Sequence, residues 1–158
     1  MKRFASTMFA LALVAGAGAA LADTEVNTPG AACVAASGTL SNSVDGQAAN
    51  LGTGAAVAVC PIDRLLQPTE STHVSASVWV VNENPSGLCC ELISKNPGGG
   101  VVTGTQACTT TVSSSYQGLA VPQITDTTTF SHFMVQCTVP GTNGGAISKL
   151  LTYRSDQD

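Results

Sequence analysis

Adjacent residues of a β-strand point to opposite faces of its sheet, so the pair Cys89-Cys90 in "GLCCELISKNPGGGVVTGTQACTTTV" cannot serve a single partner if that segment is extended. A two-residue turn at Gly98-Gly99 sets Lys95 opposite Val102, Glu91 opposite Gln106 and Cys89 opposite Cys108. Directly opposed cysteines of an antiparallel pair lie within bridging distance, and a bridge there adds about 3 kcal/mol through the loop it closes. Zinc and dithiol redox sites want CxxC-like spacing, which none of the six cysteines offers. The cysteines therefore read as structural disulfides, and no metal site is expected.

Disulfides need an oxidising compartment, and the N-terminus supplies the reason to expect one. Met1-Lys2-Arg3 is basic, Phe4 to Ala19 is apolar or small, and Ala20-Leu21-Ala22 has a small-x-small cleavage pattern. Residues 1–22 thus read as a secretory signal, and Ser6, Thr7, Gly16 and Gly18 dilute the run below what a membrane span requires. The expected location is secreted: periplasmic, outer surface or extracellular, without membrane insertion of the mature chain. Cleavage removes Lys2 and Arg3, taking the formal charge from -4 to -6, which is unsuited to nucleic acid. Only 10% of residues are charged, against about 25% in ordinary globular chains.

Beyond the signal, Asp23 to Gly30 shows no periodicity and reads as a flexible leader, with one domain over 31–158. Short apolar runs follow, at 31–36, 55–60, 73–81, 88–94, 101–112, 116–121, 129–139 and 146–154, cut by Gly, Pro, Asn and Ser. Such spacing predicts an all-β fold: an antiparallel sandwich of seven or eight strands, Greek-key, jelly-roll or immunoglobulin-like. Asn84-Pro85-Ser86-Gly87 has the residues of a hairpin turn, which sets Asn84 opposite Leu88 and Val80 opposite Leu92. By parity Val74, Ala76, Val78, Val80, Leu88, Cys90 and Leu92 face the core. Ser75, Ser77, Trp79, Cys89, Glu91 and Ile93 face outward.

The other four cysteines allow three connectivities. Cys90 points inward and Cys137 shares a face with Phe133 and Val135, which favours Cys90–Cys137 with Cys33–Cys60. An immunoglobulin-like chain would instead join Cys60 to Cys137 beside Trp79, but no tyrosine stands two residues before Cys137.

Catalytic machinery is not legible, and no cofactor is called for. The two histidines, His73 and His132, sit in no GxSxG, HExxH or comparable context. Asp63, Glu70, Glu83, Glu91 and Asp126 offer carboxylates, yet no spacing selects a hydrolytic pair; Asp63 or Asp126 with loop carbonyls is a conceivable calcium site. For binding, Trp79 on the outer face offers a stacking platform, with Tyr116 or Tyr153 as companions. The bland alternative is a Trp covered by a loop or the N-terminal strand. Thr109–Thr111 and Thr127–Thr129 read as exposed strand positions more simply than as a hydroxyl array.

"CPIDR" (60–64), "VWVVNENPSGLCCELIS" (78–94) and "CTVPGTNGGAISKLLTYR" (137–154) together resemble a group of small secreted bacterial proteins of unknown function, of the kind found in myxobacteria. The resemblance implies export, a β-rich fold and recurring cysteines, and brings no activity or site residues. The resulting expectation is a non-enzymatic extracellular or cell-surface binding module for a glycan or another envelope component, with loops 61–72 and 96–100 carrying contacts. The rivals are an adhesive surface protein that self-associates through open strand edges and a hydrolase built on His132 or a carboxylate pair.

Overall fold

The computed structural model describes residues 24–65 and 72–158, so the signal segment and Glu70 lie outside the described residues. Eleven strands are present among them: β1 Thr24–Pro29, β2 Val34–Ser37, β3 Ser41–Asn42, β4 Ala48–Ala49, β5 Ala56–Ile62, β6 Thr72–Asn82, β7 Cys89–Lys95, β8 Val101–Cys108, β9 Ser113–Asp126, β10 His132–Val139 and β11 Lys149–Gln157. One sheet runs β3-β4-β11-β6-β9 with β1 also on β11, and the other runs β2-β5-β10-β7-β8. All named pairs are antiparallel, and the two sheets form a sandwich.

Period-two burial explains the sandwich. Val74, Ala76, Val78 and Val80 on β6 are buried together with Leu119, Val121 and Ile124 on β9, facing Phe133, Val135, Cys137 and Val139 on β10 and Cys90 and Leu92 on β7. Fully burying an aliphatic or aromatic side chain of this size contributes about 1.5–3 kcal/mol. Register shifts, two of them beside the buried stretch, keep long strands in phase with this core. The β11–β6 register shifts between Leu150 and Thr152. The β6–β9 register shifts between Val74 and Ala76, where consecutive Pro122 and Gln123 are both exposed; an edge strand at a bulge is where a proline costs no ladder bond.

Each of the eight apolar runs contributes to a strand, with 31–32 in a short 3-10 turn before β2, but local readings need correction. Residues 24–29 are not a flexible leader: β1 pairs residue by residue with β11, from Thr24 opposite Gln157 to Pro29 opposite Thr152. The template is the backbone edge of β11, which needs no periodicity in the added strand. Asn84–Gly87 is a tight turn, with the Gly87 N–H donating to Asn84 O at 3.2 Å, yet it does not close a hairpin. β6 and β7 belong to different sheets, so neither Asn84 with Leu88 nor Val80 with Leu92 is a pair. The turn carries the chain across the sandwich, and inward parity is the same for both topologies.

The disulfides are Cys33–Cys60, Cys89–Cys108 and Cys90–Cys137. Cys89 opposes Cys108 and Cys90 opposes Cys137 in the ladders, and Cys33 and Cys60 flank the Val34–Val59 pair. The predicted β7–β8 register holds from Cys89 to Ser94, then slips so that Lys95 faces Val101 rather than Val102. Cys60 is bonded to Cys33, so the immunoglobulin-like Cys60–Cys137 bridge is not formed. All three bonds lie within the five-stranded sheet, and Cys89-Cys90 ties β7 to a neighbour on each side, one bond on the outer face and one in the core.

Candidate functional site

Trp79 is placed by its strand. With Val78 and Val80 in the core, it must project from the outer face of the six-stranded sheet, where it is half-buried. Its ladder partners are Gly118 on β9 and Thr152 on β11, both small. The indole nitrogen lies 3.8 Å from where a β-carbon on Gly118 would stand, so the ring leans across the bare backbone of β9 instead of standing upright. Covering a strand glycine with a cross-strand aromatic ring stabilises that glycine.

The same face extends along β6. Ser77 stands between Ala120 and Arg154, and Ser75 opposes Asp156. Beyond them lies a shallow depression of about 320 Å³ lined by Glu25, Ser75, Gln123, Arg154, Asp156 and Asp158. Arg154 donates from Nε to Asp156 at 3.1 Å and from its terminal nitrogen to Glu25. The Asp156 bond holds this guanidinium above the ordinary arginine value; desolvation opposes it, and the Asp156 and Glu25 charges with the Glu25 bond add to the upward shift. The depression thus presents fixed polar groups about four residues, or roughly 13 Å, from Trp79.

Of the sequence candidates, Tyr116 joins Trp79 and Tyr153 does not. Tyr116 lies two residues before Gly118 on the outward side of β9, diagonal to Trp79 and 71% exposed. Tyr153 is 2% exposed in the core, where its hydroxyl donates to Pro61 O at 2.7 Å; burial pushes its phenol above the ordinary tyrosine value. The β11 bulge turns it inward: without the extra residue, a strand with Leu150 inside would place residue 153 outside.

His73 and His132 lie on different sheets, His73 against Thr125 at 3.0 Å and His132 opposite Lys95. Glu83 accepts the Ile147 N–H, the Asp63 carbonyl accepts from Gln157, and Glu91 opposes Gln106 on the five-stranded sheet. Among the described residues, no three His, Cys, Asp or Glu side chains converge as metal ligands. The threonine runs hold loops in place: Thr109 Oγ1 accepts from both Asn82 and the Leu88 N–H. Loop 96–100 is closed by Asn96, which accepts from Gly99 and Gly100 and donates its N–H to Gly100 O; residues 66–71 of the other expected contact loop lie outside the described residues. On one side of the sandwich the two edge strands are joined, Thr105 donating to Pro122 O at 2.6 Å, which removes part of the open edge that self-association would use.

Asp126, the last residue of β9, is the one buried acid among the described residues. It is 1% exposed, accepts from Ser94 and from the Thr128 N–H at 2.7 Å, and is also bonded by Ser131. The Ser131 hydroxyl in turn accepts from Arg64 at 2.5 Å, and that guanidinium also reaches Thr72 Oγ1 and stacks 5.5 Å from the Phe133 ring centroid. Both oxygens of this carboxylate accept hydrogen bonds from the protein, which suits it to bracing a loop end.

Two features of the face escaped the sequence: the role of Gly118, and the Arg154-centred depression. Arg154 and Asp156 at i, i+2 on one strand face were the available signal for the second. For the first, Gly118→Ala is expected to be neutral or stabilising by up to about 0.5–1 kcal/mol, because a methyl at 3.8 Å is an ordinary contact. Gly118→Leu is expected to lift the indole and raise Trp79 fluorescence quenching by acrylamide; unchanged quenching in the leucine variant would mean that the ring does not rest on β9.

No family model matches the chain, and no curated protein matches it. Solved structures do. The xylan-binding module CBM15 is 17% identical with a TM-score of 0.51, over 85% of this chain and 96% of that one. The low-affinity xylan-binding module CBM86 from Roseburia intestinalis is 10% identical with a TM-score of 0.49, over 85% and 96%. A family two carbohydrate esterase from Cellvibrio japonicus is 10% identical with a TM-score of 0.47; 85% of this chain aligns, spanning only 34% of the esterase. At this identity the match to CBM15 speaks for the β-sandwich fold.

Proposed function

We propose that this protein is a secreted, non-enzymatic carbohydrate-binding module whose ligand lies on the outer face of the six-stranded sheet, along β6. The observation that carries the reading is Trp79, half-buried on the outer face with its indole nitrogen over Gly118 and small, polar neighbours along β6. A pyranose ring has an apolar C–H face and an equatorial belt of hydroxyls. An indole supplies an apolar surface for the first, and Ser77, Ser75, Gln123 and the Arg154–Asp156 pair supply donors and acceptors for the second. The distance from Trp79 to the depression suits an extended oligosaccharide of a few rings rather than a monosaccharide. Tyr116 adds a second aromatic surface on the same side.

The shared fold with a xylan-binding module makes xylan the first probe, beside β-glucans, mannans and bacterial envelope polysaccharides. On a glycan array the wild type should give a signal that Trp79→Ala weakens at least about tenfold, equivalent to roughly 1.4 kcal/mol, with its melting temperature little changed. A signal that survives Trp79→Ala intact would remove the ligand from this face.

A further inference from the structure

Phe130 stands out in the turn between β9 and β10. It is the one non-glycine residue with positive φ among the described residues, at 60°, and it is 66% exposed. It occupies the third position of the turn Thr128–Ser131, which closes through the Ser131 N–H donating to Thr128 O at 3.3 Å. Glycine or asparagine normally fills such a position, and a bulky residue there is a genuine outlier. Strained backbone persists only where its surroundings over-determine it. Here the turn is clamped from below: Asp126 accepts the Thr128 N–H, and Arg64 donates to the carbonyls of Thr128 and Ser131 and to the Ser131 hydroxyl.

The protein therefore fixes an aromatic ring in solvent in a conformation that its backbone disfavours, using the buried Asp126 at the end of β9 and the half-buried Arg64 that follows β5. Burial does not explain the ring. Its exposed neighbours in the chain, Thr127, Thr129 and His132, are polar and uncharged or only weakly basic. A membrane-surface contact wants several apolar residues beside lysines or arginines, and this turn has a single ring. An exposed aromatic ring with threonines and a histidine as its chain neighbours offers the apolar surface on which a sugar ring stacks.

We propose that Phe130 is a second carbohydrate contact, a ring-stacking residue at the β9–β10 end of the sandwich, separate from the Trp79 face. Six residues of β6, about 20 Å of strand, separate Trp79 from His73, whose partner Thr125 begins the approach to this turn. Phe130 thus meets a different part of a polysaccharide, or a second chain of it. The class of ligand rests on the carbohydrate reading above; the site does not rest on Trp79.

The test uses Phe130→Gly and Phe130→Asn, which relieve the backbone, and Phe130→Tyr, which keeps the ring, on the same polysaccharide array. Phe130→Gly and Phe130→Asn are expected to raise the melting temperature by about 2–5 °C while weakening polysaccharide binding about fivefold, and Phe130→Tyr to bind as the wild type does. Higher stability with unchanged binding would overturn the proposal, as would a joint loss of stability and binding, which would make the ring a packing element. If Phe130→Asn loses binding while Trp79→Ala does not, this contact stands and the Trp79 reading falls. A wild-type protein silent toward every polysaccharide sinks both.

Discussion

Replacing Cys90 and Cys137 together by alanine is expected to destabilise the protein by about 5 kcal/mol or more, whereas replacing Cys89 and Cys108 together costs only about 3 kcal/mol. The bonds differ first in the loops they close, 47 residues against 19; the chain-entropy model assigns those about 4 and about 3 kcal/mol. They differ also in place. Cys90 and Cys137 are fully buried between β7 and β10, inner strands of the stapled sheet, so two alanines leave a void against Leu92 and Val135. Cys89 and Cys108 join β7 to the edge strand β8 on the outer face, where Cys108 is exposed and alanine leaves no cavity. Against a usual total of about 5–15 kcal/mol, the first loss leaves little margin at 37 °C and the second is survivable. Urea titrations of both variants decide the matter. A Cys89→Ala/Cys108→Ala protein as unstable as the other would show that burial adds nothing to the chain-closure effect. Under mild reductant, alkylation and mass mapping should likewise find Cys89 and Cys108 modified first.

That the bonds join opposed strands was legible because period-two alternation is strong from residue 72 onward: His73 to Val81 tells inside from outside at every step. The same alternation set Trp79 outward and Cys90 inward. It failed where physics is non-local. β3 and β4 have two residues each and carry no period, and β1 is ordered by the edge of β11 from the opposite end of the chain. Asn84–Gly87 specifies a reversal but not whether the next strand stays in the same sheet. Tyr153 came out on the wrong face because one extra residue near Leu151 inverts the parity of the rest of β11; nothing about Leu150-Leu151-Thr152 advertises a bulge. Phe130 was invisible for a related reason, since its meaning lies in a backbone angle that its side-chain type argues against.

Asp126→Ala is expected to lower stability by roughly 2–4 kcal/mol at pH 7, because it strands the Ser94 hydroxyl and the Thr128 N–H and removes the anchor of Ser131. Asp126→Asn, which keeps the shape, isolates the charge. Burial alone would raise the pKa of this carboxyl, but the bonds from Ser131, Ser94 and Thr128 outweigh it, and the net shift is downward. A carboxyl whose folded pKa lies below its unfolded one binds fewer protons when native, so its contribution is complete above the unfolded value of about 4 and disappears as pH falls through the folded value. The urea midpoints of wild type and Asp126→Asn should therefore differ at pH 7 and converge below about pH 4. A gap that stays constant down to pH 2.5 would mean that the ionised form is not what braces the turn. Because the brace holds Phe130, the same acid range should release the turn before the sheets melt, seen as faster amide exchange at Thr128 and Ser131 while Val78 and Val135 stay protected.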